Sequence, residues 1–417
     1  MTDTINLATS TLNNIIDWLQ GKEPLDRSEW SLELLKILDL EKQKEVYEKF
    51  LSLGSLYRVG KVKNYDLYTY FVDLEYASGN WFLSIKFNKN NQISSILLTP
   101  NSRAMSQHLA ISEELNEFVR EEYFEINITN NLGIEACITS PKKQTPTALV
   151  LFIQGSGASD KNENMGYCTP FFDLAVGLAK NNISSIRFDK RSWAYPFISV
   201  KDPTDEVIND AVCAANLIRQ KIKASNLPLI ILGHSQGGTF VTQVAERLDI
   251  FPHGFILLAA PSSNDLHSRL IDQLDYLIQK NSENEDSLLK MKNEVRESLT
   301  NWKSHTPERV KNIKLIFNYS IEYLSYLDAY NPIDVIRKAN IPTLLLQGKG
   351  DYKVLENKDF VEWEVGLSIN KNVTFKLYEN LEHCFVDSKC AEKHTFAKVD
   401  SEVIKDISNW ILTLSKL

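Results

Sequence analysis

The stretch that decides the fold reads Leu229-Ile-Ile-Leu-Gly-His-Ser-Gln-Gly-Gly238. Its apolar run predicts a buried strand, and residues 236–248 predict a helix that follows at once. Between the two lies a Gly-x-Ser-x-Gly pattern, which places Ser235 among small neighbours. Small residues let the backbone turn sharply from strand to helix and leave the serine hydroxyl exposed at the turn. The stretch therefore predicts a nucleophilic serine at the end of a strand.

Strands and helices alternate on both sides of this turn. Further strands are predicted at 148–153, 183–188, 254–259, 343–347 and 373–378, with helices at 171–180, 205–224 and 402–414. A hairpin over residues 123–139 precedes them. This alternation is typical of an α/β fold, a mostly parallel twisted sheet with helices on both faces.

The 417 residues predict more than one domain. Residues 1–120 are predicted to form a small α+β domain, in which two helical regions precede an antiparallel meander. The α/β core is predicted at 121–261 and 341–417. Residues 262–340 contain no strand-like run, so we expect a helical cap laid over the strand ends. The first domain could roof the active site, form a homodimer or bind a second ligand.

Composition excludes several classes of protein. The net charge of −8, with no run rich in Lys or Arg, argues against nucleic acid or an anionic membrane as the main partner. No stretch of about 18 uncharged apolar residues is present, so no membrane span is expected. Five cysteines and no leader-like start predict a cytoplasmic protein with reduced thiols. Cys384, Cys390 and His394 lack a C-x-x-C partner, so no metal site is expected.

Ser235 needs a base, and that base needs an acid to orient it. After a serine turn of this kind, the acid and then the histidine follow along the chain. His234 is adjacent to the serine and is predicted to point away from it. His108 precedes the predicted α/β core, and three others come before the next core strand: His253, His267 and His305. His383 and His394 remain, and His383 is preferred because a short loop joins it to the strand at 373–378.

Asp351 is the predicted acid. It lies in the turn Gly348-Lys-Gly-Asp351, directly after a predicted strand, where flanking glycines allow a carboxylate to face an imidazole. Asp387 is the alternative, but it comes after His383 in the chain.

An oxyanion hole completes the predicted site. One donor is the backbone N–H of the residue after the serine, Gln236, and the other comes from the loop after an earlier strand. The loop Gln154-Gly-Ser-Gly157 has small residues that leave its amides free, so Ser156 is the first choice and Gly157 the second.

Residues from about 123 onward resemble the α/β-hydrolase superfamily. The segments that resemble EstD-like bacterial carboxylesterases are Gln154-Gly-Ser-Gly-Ala-Ser-Asp160, Phe172-Asp-Leu-Ala-Val-Gly-Leu-Ala179, Ile186-Arg-Phe-Asp-Lys-Arg191, Tyr330-Asn-Pro-Ile-Asp-Val335, Gly350-Asp-Tyr-Lys-Val354 and Leu381-Glu-His-Cys-Phe385. That subgroup also carries a small N-terminal α+β domain, which residues 1–120 resemble. The resemblance implies an α/β-hydrolase fold and the triad Ser235, Asp351 and His383. The family loop usually begins with histidine, so Gln154 implies altered geometry or specificity.

These observations predict a serine hydrolase that cleaves carboxylic esters of a small acyl substrate, without a cofactor. Trp193 and Tyr195 are candidates to line its substrate pocket together with Gln154. The same triad could instead serve a peptidase, thioesterase, lactonase or acyltransferase. A binding protein on a hydrolase scaffold is disfavoured because every triad position is filled.

Overall fold

A computed structural model describes residues 2–105, 108–129, 132–222, 226–280, 284–304, 319–393 and 395–414. The chain divides into two compact units. Unit 1 comprises Met1–His108, Asn127–Ile134 and Arg191–Ser199, and unit 2 comprises Leu109–Ile126, Glu135–Lys190 and Val200–Leu417. This division differs from the predicted boundary at residue 120. Residues 109–120 belong to unit 2, and two later segments belong to unit 1.

The described strands and helices follow one another along the chain. The strands are β1 (Leu56–Val59), β2 (Lys63–Asn64), β3 (Thr69–Tyr76), β4 (Gly79–Phe87), β5 (Ile93–Pro100), β6 (Val119–Asn127), β7 (Gly133–Pro141), β8 (Ala148–Ile153), β9 (Ile183–Phe188), β10 (Leu229–His234), β11 (Gly254–Leu258), β12 (Thr343–Gly348) and β13 (Val373–Tyr378). The α-helices are α1 (Thr2–Leu19), α2 (Leu32–Ile37), α3 (Leu40–Leu51), α4 (Ser102–Met105), α5 (Glu113–Asn116), α6 (Pro170–Lys180), α7 (Arg191–Ala194), α8 (Asn209–Ile222), α9 (Gln236–Thr239), α10 (Val241–Ala245), α11 (Leu266–Lys280), α12 (Glu285–Lys303), α13 (Ile321–Asp328), α14 (Pro332–Ala339), α15 (Val361–Gly366), α16 (Ser388–Glu392) and α17 (Ser401–Leu414).

Unit 1 is built on an antiparallel sheet in the order β1-β3-β4-β5, with β2 paired to β3. Alternation along the strands buries both faces. One face carries Val72, Leu74 and Leu83 in a core shared with α1. The opposite face carries Phe71 and Phe82, whose rings meet edge to face with centroids 5.5 Å apart. Unit 1 therefore has an aliphatic layer under its helices and an aromatic layer on the other side of the sheet.

Unit 2 is built on an eight-stranded sheet in the order β13-β12-β11-β10-β8-β9-β7-β6. The six strands from β13 to β9 pair in parallel, and β7 pairs antiparallel with β9. The central strands β8, β10 and β11 are near-continuous apolar runs and are fully buried, as strands covered on both faces require, whereas the edge strand β13 is mostly part-buried. The loops after β8, β10 and β12 therefore leave the sheet at one edge.

The described part of residues 262–340 is helical and contains α11 to α14. Helix α11 lies against the loop that follows β12. Gln273 Nε2 donates a hydrogen bond to the Lys353 carbonyl oxygen at 2.8 Å, and Tyr276 stacks on Tyr352 with ring centroids 5.6 Å apart. The first helix of the insertion thus contacts the loop that carries Asp351. In the parts of the chain that the structure describes, no helix is long and apolar enough to cross a membrane.

Candidate active site

Ser235 occupies a strained turn between β10 and α9. Its φ of 51° and ψ of −127° lie in a region that residues other than glycine rarely adopt. A Cβ on Gly237 would press on the Ile153 carbonyl oxygen and lie 2.5 Å from that of Gln154. A Cβ on Gly233 would lie 2.5 Å from the backbone nitrogen of Gly238. The pattern of small residues is therefore a steric requirement of this turn.

Replacing Gly237 with alanine tests that requirement. The added methyl group meets only backbone, which cannot move without disturbing β8 and β10. We expect Gly237→Ala to lower the free energy of unfolding by about 1–3 kcal/mol, as overpacking does. Denaturant unfolding, fitted with one m-value for wild type and variant, measures this change in the free energy of unfolding.

Gly177→Ala, inside α6, is the matched control. A Cβ there would also lie 2.5 Å from its nearest neighbour, but that neighbour is the flexible side chain of Ile404. Alanine also gains about 1 kcal/mol of helix propensity over glycine. An unfolding midpoint for Gly237→Ala no lower than that of Gly177→Ala would contradict the steric argument.

Asp351 and His383 form a buried acid–imidazole pair. His383 Nδ1 lies 2.7 Å from Asp351 Oδ2, which also accepts from Gln347 Nε2 at 3.0 Å. The other carboxylate oxygen accepts from the backbone N–H groups of Lys353 and Val354, at 2.8 and 3.0 Å. Both carboxylate oxygens are thus occupied by donors, which fixes the direction in which Asp351 faces the imidazole.

The surroundings of this pair set its ionisation. Burial alone would raise the pKa of Asp351, but His383 and the donors on the carboxylate outweigh it and lower that pKa. Burial lowers the pKa of His383 below its ordinary value, and Asp351 only partly opposes the effect. At neutral pH the pair is therefore a carboxylate beside a neutral imidazole, the state that can accept a proton.

The loops that carry the three residues meet at the sheet edge. The backbone N–H of Ser235 donates to the Leu258 carbonyl oxygen at 2.7 Å, which ties the turn to β11. The N–H of Gly350 donates to the Leu381 carbonyl oxygen at 2.9 Å, which ties the acid loop to the loop that carries His383. His234 was predicted to point away from Ser235, and its ring lies on the side of His383. Its Nε2 lies 2.9 Å from the His383 carbonyl oxygen, and the two rings are 4.7 Å apart at their centroids.

The loop after β8 lies beside Ser235. A Cβ on Gly155 would sit 3.0 Å from Ser235 Cβ. The Gly155 N–H donates to Glu163 Oε1 at 2.7 Å, so this amide is already engaged. Ser156 is exposed, and Gly157 has a φ of 84° that favours glycine. Ser156 and Gly157 are therefore the amides of this loop that stay candidates for an oxyanion hole.

Lys190 binds the backbone of the loop after β8. Its Nζ is buried and donates to the carbonyl oxygens of Gly155, at 2.6 Å, and Gly157, at 3.0 Å. Gln154, predicted to contact substrate, is 1% exposed, and its Nε2 donates to the Phe188 carbonyl oxygen at the end of β9. Gln154 thus ties the start of the loop to the end of β9.

Tyr195 is a core residue of unit 1, where the sequence predicted a pocket residue. It is 1% exposed, and its ring packs within about 6 Å of the rings of Phe71, Phe82 and Phe197. Its hydroxyl donates to the Gly133 carbonyl oxygen at 2.9 Å. Apolar packing with a satisfied hydroxyl accounts for this position, so a pocket role is not needed to explain it.

Three other predicted positions have different outcomes. Trp193, the second pocket candidate, is half-buried in α7 within a segment of unit 1. Asp387, the alternative acid, caps α16 by accepting from the Lys389 N–H at 2.8 Å. His394, the alternative base and a member of the Cys384–Cys390 grouping, lies outside the described residues. Among the residues that the structure describes, no group of three His, Cys, Asp or Glu side chains is placed to hold a metal ion.

Comparison with known families identifies the class. Residues 164–388, more than half of the chain, match the family described as serine aminopeptidase, S33. The chain belongs to this family of serine hydrolases, and its fold is the α/β-hydrolase fold with an added N-terminal unit that contains an antiparallel sheet.

The chain is also similar to individual proteins. The chain is 29% identical to Esterase EstD of Thermotoga maritima over 308 residues, which cover 72% of this chain and 70% of that protein. Two solved structures are similar at lower identity. Proline iminopeptidase of Mycobacterium smegmatis is 14% identical with a TM-score of 0.48, over 71% of this chain and 99% of that one. A thermostable carboxyl esterase of Bacillus coagulans is 15% identical with a TM-score of 0.45, over 72% and 99%. The chain is a carboxylesterase-like serine hydrolase.

Proposed function

We propose that the protein hydrolyses carboxylic esters of small acyl substrates through an acyl-enzyme, with Ser235, His383 and Asp351 as the triad. The observation that supports the proposal is the buried Asp351–His383 pair, in which Nδ1 and Oδ2 are 2.7 Å apart. This pair lies beside the strained turn that carries Ser235. His383 Nε2 accepts the Ser235 proton as Oγ attacks the ester carbonyl, and the imidazolium then returns the proton to the leaving alcohol. Water attacks the acyl-enzyme by the same route and releases the acid.

Charge on the tetrahedral oxygen needs donors that are in place before the reaction. Gln236, the residue after the serine, begins α9, and its backbone N–H is the first proposed donor. The second donor comes from the backbone N–H groups of Ser156 and Gly157. Lys190 supports this assignment because it binds the carbonyl oxygens of the loop and so holds its peptide groups in one orientation. Each such donor is worth about 2.7–4 kcal/mol in the transition state.

Asp351→Asn tests the role of the acid. The amide keeps the volume but no longer favours the proton on His383 Nδ1, so the wrong tautomer faces the serine. We expect kcat to fall about 10⁴-fold with little change in KM. Steady-state kinetics on a p-nitrophenyl ester measures it.

Asp387→Asn is the matched control, because Asp387 is the alternative acid and caps a short helix. It is expected to keep kcat within a few-fold of wild type. A large loss in Asp387→Asn, with Asp351→Asn close to wild type, would assign the acid to Asp387.

The bond that is cleaved needs its own experiment, because a triad serves esters, thioesters and amides alike. A panel of p-nitrophenyl esters, acyl thioesters and aminoacyl p-nitroanilides, ranked by kcat/KM, discriminates among them. We expect the esters to rank first. Amides ranking first, in line with the peptidase name of the family, would overturn the ester assignment and leave the triad in place.

A further inference from the structure

A second carboxylate–imidazole pair lies beside the proposed triad, formed by Glu163 and His234. Glu163 is 1% exposed and has a φ of 52°, an uncommon conformation for a glutamate. Its Oε1 accepts from the Gly155 N–H at 2.7 Å. Its Oε2 lies 2.9 Å from His234 Nδ1, an ion pair without the straight N–H···O line of a strong hydrogen bond. Glu163 thus joins the loop after β8, which we call the oxyanion loop because it carries Ser156 and Gly157, to His234.

Both ring nitrogens of His234 face acceptors. Nδ1 faces the Glu163 carboxylate, and Nε2 lies 2.9 Å from the His383 carbonyl oxygen. A carboxylate and a carbonyl oxygen offer no proton, so each ring nitrogen satisfies its neighbour only when it carries one. With Glu163 ionised, this arrangement therefore favours His234 as an imidazolium cation. Burial opposes that charge, but Glu163 outweighs the burial and raises the pKa of His234 to about 9.

The cation lies close to the proposed base. The ring centroids of His234 and His383 are 4.7 Å apart, and the Glu163 carboxylate is on the side of the His234 ring away from the His383 carbonyl. The other groups that act on His383 are Asp351 and Lys353, from the loop after β12. Glu163 and Cys384, which directly follows His383 in the chain, influence the pKa of His234. Among these, His234 is the cation whose ring packs against His383.

We propose that Glu163 and His234 are positioning residues: a buried carboxylate–imidazolium pair that fixes the oxyanion loop at one end and the His383 backbone at the other, and keeps a positive charge beside the His383 ring. The proposal rests on the proposed function of Ser235 and His383. The charge disfavours a second cation on His383, so the base stays neutral at lower pH than it would with an uncharged neighbour.

Glu163→Gln separates the charge from the positioning. Its amide oxygen can still accept from Gly155, and its amide N–H can donate to Nδ1 of a neutral His234. The connection from loop to base then survives while the charge beside His383 is lost. We expect the acid limb of the kcat/KM profile to move to higher pH, with kcat above that limb within a few-fold of wild type.

Glu163→Ala removes the connection as well. The Gly155 N–H and His234 lose their partner, and both loops gain freedom near the reacting atoms. A displacement of about 1 Å costs about 100-fold in rate, so we expect kcat to fall about 100-fold at every pH with little change in KM. Rates are normalised to the fraction of enzyme that a fluorophosphonate labels, so that unfolded protein does not count. His253→Gln is the control, because His253 is a hydrogen-bonded histidine directly before β11, and this variant should match wild type in both measurements.

NMR on protein labelled with ¹⁵N-histidine gives a readout that needs no turnover. The His234 signal, assigned by its loss in His234→Gln, should show both ring nitrogens protonated at pH 7 in wild type and only one in Glu163→Gln. A singly protonated His234 in wild type, or an acid limb in Glu163→Gln that coincides with wild type, would overturn the proposal. So would wild-type kcat in Glu163→Ala. Absence of Ser235-dependent turnover would contradict the proposed function instead. The NMR measurement would still test the charge of His234 independently.

Discussion

Ser235→Ala is expected to reduce kcat about 10⁶-fold, as loss of the nucleophile does in serine hydrolases. The methyl group cannot form the acyl-enzyme, so only the slow, unassisted reaction in the oxyanion hole is left. Labelling by a fluorophosphonate should disappear at the same time, because the probe reacts with the same oxygen. Turnover of a p-nitrophenyl ester and gel fluorescence after labelling measure the two effects independently.

Ser184→Ala is the control for that substitution. Ser184 is buried in β9, and its hydroxyl donates to Ser140 Oγ at 3.0 Å, so the variant removes a buried serine outside the proposed machinery. It should keep both labelling and turnover. An unlabelled wild type, or a Ser235→Ala variant that still turns over, would mean that the chain is not a hydrolase acting through this serine.

His383→Ala is expected to cost as much as loss of the serine, about 10⁶-fold in kcat, because a triad fails as a unit. Without the imidazole no group accepts the Ser235 proton, and Asp351 is left as a buried carboxylate whose partner is gone. Stability should fall too, since the buried Asp351 carboxylate loses the hydrogen bond that it accepts from His383 Nδ1. Thermal unfolding monitored beside the kinetics reports the second effect.

His394→Ala provides the comparison, because His394 is the other histidine that the chain order allows. We expect its kcat to stay close to that of wild type. The assignment of the base would be wrong if His394→Ala abolished turnover while His383→Ala kept it.

Much of this site could be predicted because its parts lie at the ends of strands. Buried parallel strands read as apolar runs, and a serine, an aspartate or a histidine just beyond such a run reaches the same edge of the sheet. Strand β10 before Ser235 and β12 before Asp351 both have this form. Short edge strands are harder. Strands β1 and β2, for example, span only four and two residues and are separated by residues 60–62.

The supporting residues could not be predicted, because their roles arise from contacts between distant parts of the chain. Glu163 reads as one charge in a polar loop, and only the folded chain brings it to Gly155 and His234. His234 and His383 are 149 positions apart, so no local pattern signals their contact. A buried lysine such as Lys190 likewise carries no mark in the sequence. One signal in the sequence was the number of ionisable residues in the loop between β8 and α6. Charged side chains are rarely buried, so several of them next to a buried sheet indicate a supporting network.

The aromatic layer of unit 1 has a consequence for how this protein can be taken apart. Tyr195 and Phe197 come from a segment far along the chain, yet they complete a layer with Phe71 and Phe82. An N-terminal truncation near residue 108 would remove one half of that layer and leave two buried aromatic rings facing water. Unit 1 therefore cannot be removed, or moved to another protein, by cutting the chain at a single position. Recombination that preserved it would have to carry the segments at 127–134 and 191–199 along with residues 1–108.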